Sequence, residues 1–211
     1  MPQCPLCASR PAKRYCPAKM EQICAVCCGT KREIEIDCPS NCPYLRSGRD
    51  YEAEKRIPDP ELMAKADQFN DEFFLTFAPI IDAVLSAVVA ERKESQWLVD
   101  NDLIEVLKAL TATFRTLSSG IYYETLPDNP IRQSLFRRIK SLFDQLMQPS
   151  ERIDEPSLKV SETLDILDFI TLAAQANSSI RPKSRKYLDF LASMARPERA
   201  AEPSSSGLIL P

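Results

Sequence analysis

From residue 59 onward, apolar residues recur at helical spacing; before it they hardly do. Leu62, Ala66, Phe69, Phe73 and Phe77 fall on one face of a helix. Asp59-Pro60-Glu61 opens it with an N-cap, a proline in the first turn and an acid. Pro79 lacks an N–H and crowds the carbonyl of Leu75, so it is expected to kink or break this helix before Ile80, Val84, Leu85 and Val88 resume the pattern. A second helix runs from about Asp100–Asp102 through Leu103, Leu107, Leu110, Phe114 and Leu117, with Gly120 where a left-handed residue closes a helix. A third opens at Asn129-Pro130 and carries Ile131, Leu135, Ile139, Leu142 and Leu146 on one side, with Pro149 just past its end. A fourth starts near Ser161 and holds Leu164, Leu167, Phe169 and Ile170; a fifth, over 183–196, holds Tyr187, Leu188, Phe190, Leu191 and Met194.

Five or six such helices joined by short loops predict an all-α, antiparallel bundle, and about 135 residues suffice for an independent core. The one segment that alternates with period two is "REIEID", Arg32 to Asp37. Tyr122 and Tyr123, in the long connection "SSGIYYETLPDNP", are expected to pack against the end of the bundle, since tyrosine suits half-buried sites.

The remainder divides by composition. Residues 1–45 hold all eight cysteines and few bulky apolar groups. Residues 46–58 are charged and read as a linker with some helix in it, residues 59–196 as the bundle domain, and residues 197–211 as a disordered tail. That tail ends in Leu208-Ile209-Leu210, which reads either as a docking motif or as an unstructured end.

Charge and missing residue types narrow the chemistry. The net charge is −3, so general attraction to nucleic acid or an anionic membrane is not expected. Residues 1–20 have no apolar signal-peptide core, and the most apolar run, Pro79 to Ala90, is too short to span a bilayer, so a cytoplasmic location is expected. There is no histidine, which removes Ser-His-Asp triads, Cys-His pairs and His-bound catalytic metals. Four scattered glycines cannot build a phosphate loop. The carboxylates Glu105, Asp144, Asp165 and Asp168 form no distinctive catalytic spacing, so no enzyme and no small-molecule substrate are expected.

In a reducing compartment, clustered cysteines point to metal. Their order is Cys4-x2-Cys7, Cys16, Cys24-x2-Cys27-Cys28, Cys38-x3-Cys42. A C-x2-C turn supplies two thiolates from one short loop and lets backbone N–H groups donate to the sulfurs. Bound structural zinc contributes roughly 10–16 kcal/mol of apparent free energy, which can fold a segment with too small a core. Adjacent residues direct their side chains apart, so Cys27 and Cys28 are expected to serve different ions. The expected sites are Cys4, Cys7, Cys24 and Cys27 (site 1) and Cys16, Cys28, Cys38 and Cys42 (site 2), two Zn²⁺ per chain in an interleaved cross-brace. Gly29 is expected to let the chain turn away toward Cys38.

The stretch "CPLC…RYCPAKMEQICAVC" resembles the B-box zinc finger and, more loosely, the HIT and MYND fingers. The resemblance implies that Cys4, Cys7, Cys24 and Cys27 share one zinc and that Cys16 begins a second site. Lys19 stands where that pattern has a further ligand, and Cys28 is expected to replace it. The reading is a small zinc-stabilised cross-brace finger followed by the bundle: an adaptor in which both parts mediate protein–protein interaction, with structural zinc. The competing reading is a nucleic-acid-binding regulator, in which Arg10, Lys13, Arg14, Lys19, Lys31 and Arg32 of the finger and Arg132, Arg137, Arg138 and Lys140 of the third helix meet phosphates. Neutralisation of the thiolate charge is the alternative role for the finger's cations, since Glu33, Glu35 and Asp37 interrupt the patch.

Overall fold

A computed structural model describes residues 2–57, 59–149 and 157–195. The chain begins with a hairpin of β1 (Arg14–Cys16) and β2 (Glu21–Ile23), antiparallel with Tyr15 opposite Gln22. Two helices follow, α1 (Ala25–Lys31) and α2 (Pro43–Glu54). Then come α3 (Pro60–Ala66), α4 (Asp71–Glu94), α5 (Asp100–Ser118), α6 (Pro130–Met147), α7 (Val160–Asn177) and α8 (Lys186–Met194). The charged segment read as a linker lies largely within α2. The apolar tail lies outside the described residues.

Several local expectations give way to other physics. The predicted first helix is two: Asn70 caps α4 by accepting from the Phe73 N–H at 2.9 Å, so α3 and α4 meet at a corner. Pro79 does not break α4, because it and Leu75 face solvent, where water can satisfy the carbonyl that loses its partner. The uninterrupted α4 is long and apolar enough to cross a membrane by length and composition. Its inner face, Ile81, Val84, Val88 and Val89, belongs to the bundle core. "REIEID" forms a turn closed by an isolated Arg32–Ile36 bridge, and the strands lie earlier, at β1 and β2. Gly29 is an ordinary helical residue of α1; the left-handed residue that turns the chain is Glu33, at φ 55°. Gly120 is left-handed at φ 78° and closes α5, with Ile121 N–H donating to the Thr116 carbonyl at 3.0 Å.

The bundle is not antiparallel throughout. Arg132 donates to Asp102 at 2.8 Å near the starts of α6 and α5, and Phe143 meets Phe114 edge-on at 5.7 Å near their ends. The two helices therefore run parallel, and residues 119–129 return along α5 as a strap. Thr116 donates its hydroxyl to the Tyr123 carbonyl, and the Thr125 N–H donates to Thr113 Oγ1. With its inner edge held in this way, the strap leaves Tyr122 and Tyr123 exposed rather than packed against the bundle end.

Two separate apolar clusters result. The larger is built from α4 to α8 around Phe114, Phe136, Phe143 and Leu107; the smaller gathers Ile23, Ile36 and Leu45 with six cysteines. Charge lines the seam between them. Arg49 of α2 donates to Glu33 at 2.6 Å and to Asp189 of α8 at 2.7 Å. Arg185 pairs with Asp37, Arg181 with Glu52, and the Lys183 N–H donates to the Glu33 carbonyl. Asp100, at the start of α5, accepts from the N–H groups of Tyr187 and Leu188 and from the Ser184 hydroxyl, so it caps α8 from another helix.

Candidate metal centre

The first C-x2-C pair sits on a tight turn. The Cys7 and Ala8 N–H groups both donate to the Cys4 carbonyl, at 3.3 and 2.7 Å, and Ala8 takes a left-handed φ of 51° to close the loop. The Cys4 N–H donates to the Arg10 carbonyl, closing the loop ahead of β1. The second pair begins α1. Cys24 is its N-cap, and its sulfur accepts the Cys27 N–H at 3.3 Å. β2 runs straight into Cys24, so the hairpin sets where this helix starts.

These two turns converge. The sulfurs of Cys4, Cys7, Cys24 and Cys27 all lie within 4.8 Å of one another, and those of Cys7 and Cys24 are 3.9 Å apart. Tetrahedral zinc with Zn–S bonds near 2.3 Å puts its sulfurs roughly 3.8 Å apart, so the set fits such an ion. Cys4, Cys24 and Cys27 are buried and Cys7 is half-buried.

The thiols are unequal. Hydrogen bonds from the Ser9 side chain and backbone bring Cys7 down to about 5. Burial opposes ionisation of Cys4, but N–H donors from Cys24, Leu6 and Cys7 outweigh it and hold it below the ordinary thiol value. Burial and the three neighbouring sulfurs push Cys27 up to about 12. The cluster thus gives up its first protons easily and keeps its last. A divalent cation held by these four sulfurs would supply the charge that favours loss of the last one.

The other four cysteines require a correction. Cys16, Cys28, Cys38 and Cys42 line one cavity of about 10 Å³ beside Ile23 and Ile36, but their sulfurs do not gather at a common ligand distance. Among the described residues there is one four-cysteine cluster, so two Zn²⁺ per chain and an interleaved cross-brace are not what this fold carries. The physical reason lies in the spread of these residues. They come from β1, α1, an irregular segment and the cap of α2, and Ile23, Ile36 and Leu45 pack among them. Burial pushes the Cys38 thiol up to about 11. The doubled cysteine lies within α1; Cys27 joins the cluster, and Cys28 lines the small cavity with Cys16, Cys38 and Cys42.

The remaining candidates fall elsewhere. On α6, Arg132 pairs with Asp102 and Asp128, Arg138 with Glu91 and Glu94, and Lys140 with Glu124 and Asp144. Arg137 alone of that strip has no carboxylate partner among the described residues. Glu105 pairs with Lys108, and Asp144 with Lys140. Asp165 is raised by burial and by its neighbour Asp168, which lines an open cleft with Lys108 and Arg115. The seam residues Glu33, Arg49, Asp100, Arg185 and Asp189 had no sequence signal, because each finds its partner far along the chain.

Comparison with protein-family models, with curated proteins and with solved structures returns no match. The resemblance to B-box, HIT and MYND fingers is therefore not upheld: no family model matches, and the single cluster lacks the second, interleaved site those fingers require.

Proposed function

We propose that this chain is a zinc-binding adaptor. In this reading one structural zinc holds a small N-terminal module in shape, and that module and the helical bundle present surfaces to a protein partner. The observation that carries the reading is the convergence of Cys4, Cys7, Cys24 and Cys27 within 4.8 Å. Four protein thiolates complete a tetrahedral shell and leave no position for water or substrate, which is the arrangement of a structural rather than a catalytic zinc. The polar seam supports the same reading. It fixes the module on the bundle through Arg49, Arg185 and Arg181, so the two surfaces are offered together.

What the chain's own residues do follows from their placement. Cys7 is poised to be a thiolate, Cys4 is held below the ordinary thiol value, and the Cys27 N–H donates to the Cys24 sulfur, lowering the cost of concentrating negative charge. Zinc supplies the remaining charge balance when bound. The test is metal analysis of the purified full chain, combined with affinity capture from native lysate with and without nuclease. One zinc per chain and nuclease-resistant protein capture are expected. A chain that purifies without metal, or whose capture disappears with nuclease, would overturn the reading.

A further inference from the structure

Two of the three acids that interrupt the finger's basic run in sequence are turned away from it in space, and the third is engaged by one of the run's own cations. Glu33 is buried against Arg49, Asp37 pairs with Arg185, and Glu35 pairs with Lys31. Residues 1–32 carry six cations against one acid, Glu21, in a chain of net charge −3. Arg14 lies over the Tyr44 ring at 4.8 Å. Arg10, Lys13 and Lys19 are exposed and hold no carboxylate among the described residues. On α6, by contrast, three of four cations are bound in ion pairs. The hairpin's cations are therefore available in a way the helical ones are not.

The same hairpin exposes apolar groups. Tyr15 is 53% exposed on the strand face opposite the buried Cys16, and Met20 is 74% exposed at the tip. Met20 takes a left-handed φ of 54°, which costs a side-chain-bearing residue more than glycine, yet the turn holds it outward. Because β2 runs into Cys24, the metal cluster fixes this face.

We propose that the outer face of the β1–β2 hairpin, with Lys13, Tyr15, Lys19 and Met20, binds an acidic peptide segment of a partner protein through carboxylates and an apolar anchor. This rests on the adaptor reading and names its partner class. Single-stranded nucleic acid uses successive aromatic platforms, and the hairpin offers only Tyr15. An apolar anchor such as Met20 suits a peptide side chain better than a phosphate backbone.

The test is fluorescence anisotropy of the full chain with a labelled peptide alternating Glu with Leu and Phe, its Gln counterpart, and single-stranded oligothymidylate. The acidic peptide is expected to bind, the Gln peptide to bind weakly, and K13E/K19E to lose about tenfold or more through like-charge repulsion. Met20→Ser is expected to weaken binding with the salt dependence kept, and Arg137→Glu to leave it unchanged. Tighter binding of oligothymidylate, equal binding of the two peptides, or no response to K13E/K19E would overturn the proposal. Zinc content measured on the same samples separates the two failures. A zinc-loaded chain that ignores the acidic peptide overturns this inference alone; a chain without zinc overturns the adaptor reading beneath it.

Discussion

Arg32 lays its guanidinium so close to Gly48 that a Cβ there would stand 1.4 Å from Nη1. Nη1 also donates to the Tyr44 carbonyl at 3.2 Å, so the arginine fastens the end of α1 to the first turn of α2. Gly48 lies inside α2, where alanine would be favoured by about 1 kcal/mol. Losing a hydrogen bond from a charged donor costs about 1.5–3 kcal/mol. Gly48→Ala is therefore expected to destabilise by about 1 kcal/mol net, as the smaller term loses. In an Arg32→Ala background the sign should reverse, with Gly48→Ala stabilising. A denaturation double-mutant cycle checks this, and additive effects would show that Arg32 moves aside without loss.

Metal content should follow the four-cysteine cluster. Elemental analysis is expected to give one zinc per chain, with Cys4→Ser or Cys27→Ser abolishing it and Cys28→Ser retaining it. Loss of metal from Cys28→Ser would move the centre away from the converged sulfurs. A chelator should collapse the hairpin's protection from hydrogen exchange before that of α5 and α6, since the two apolar clusters are separate.

Arg49 serves two acids, and one of them cannot manage without it. The Glu33 side chain is only 3% exposed. Arg49→Met leaves that carboxylate buried without its cation, and the expected loss in chemical denaturation is about 3–5 kcal/mol. Adding Glu33→Gln should recover part of it by removing the stranded charge. A loss below about 1 kcal/mol would place the contact among ordinary surface ion pairs.

Asp100 gives the pH dependence a direction. Burial raises its carboxyl above the ordinary 3.8, against the N–H groups of Leu188 and Tyr187 and the Ser184 hydroxyl. The folded chain then binds this proton more tightly than the unfolded one. The stability it contributes is fully present below the unfolded value and is lost as pH rises through the higher folded value. The melting-temperature advantage of wild type over Asp100→Asn should therefore shrink as pH rises from below the ordinary 3.8 through the carboxyl's higher folded value. An advantage that grows over this range would mean that the α8 N–H groups outweigh burial.

Legibility tracked the range of the interaction. The faces of α5 and α6 were readable because Leu103, Leu107 and Leu110, or Leu135 and Ile139, repeat within a few turns. The Cys4–Cys7 and Cys24–Cys27 pairs were readable for the same reason, as each is made within one turn. The break at Asn70 was hidden because Ala66, Phe69 and Phe73 keep helical spacing across it. The parallel run of α5 and α6 was hidden because the strap's anchors are Thr113 and Thr116, which look like ordinary helix residues. Whether Cys16, Cys28, Cys38 and Cys42 converge depends on how Ile23, Ile36 and Leu45 fill the space among them, which spacing does not encode. The Arg49–Asp189 contact spans 140 residues and left no trace in local pattern.

The partner that Asp37 finds in Arg185 lies 148 residues further along the chain. At about 5–20 residues per second of synthesis, roughly 7–30 s separate the emergence of the two. For that interval the hairpin and its cysteines have no Arg185 to lean on. Metal acquired in that interval would act as a placeholder for the missing docking surface, and the last helix would arrive to a finger already set.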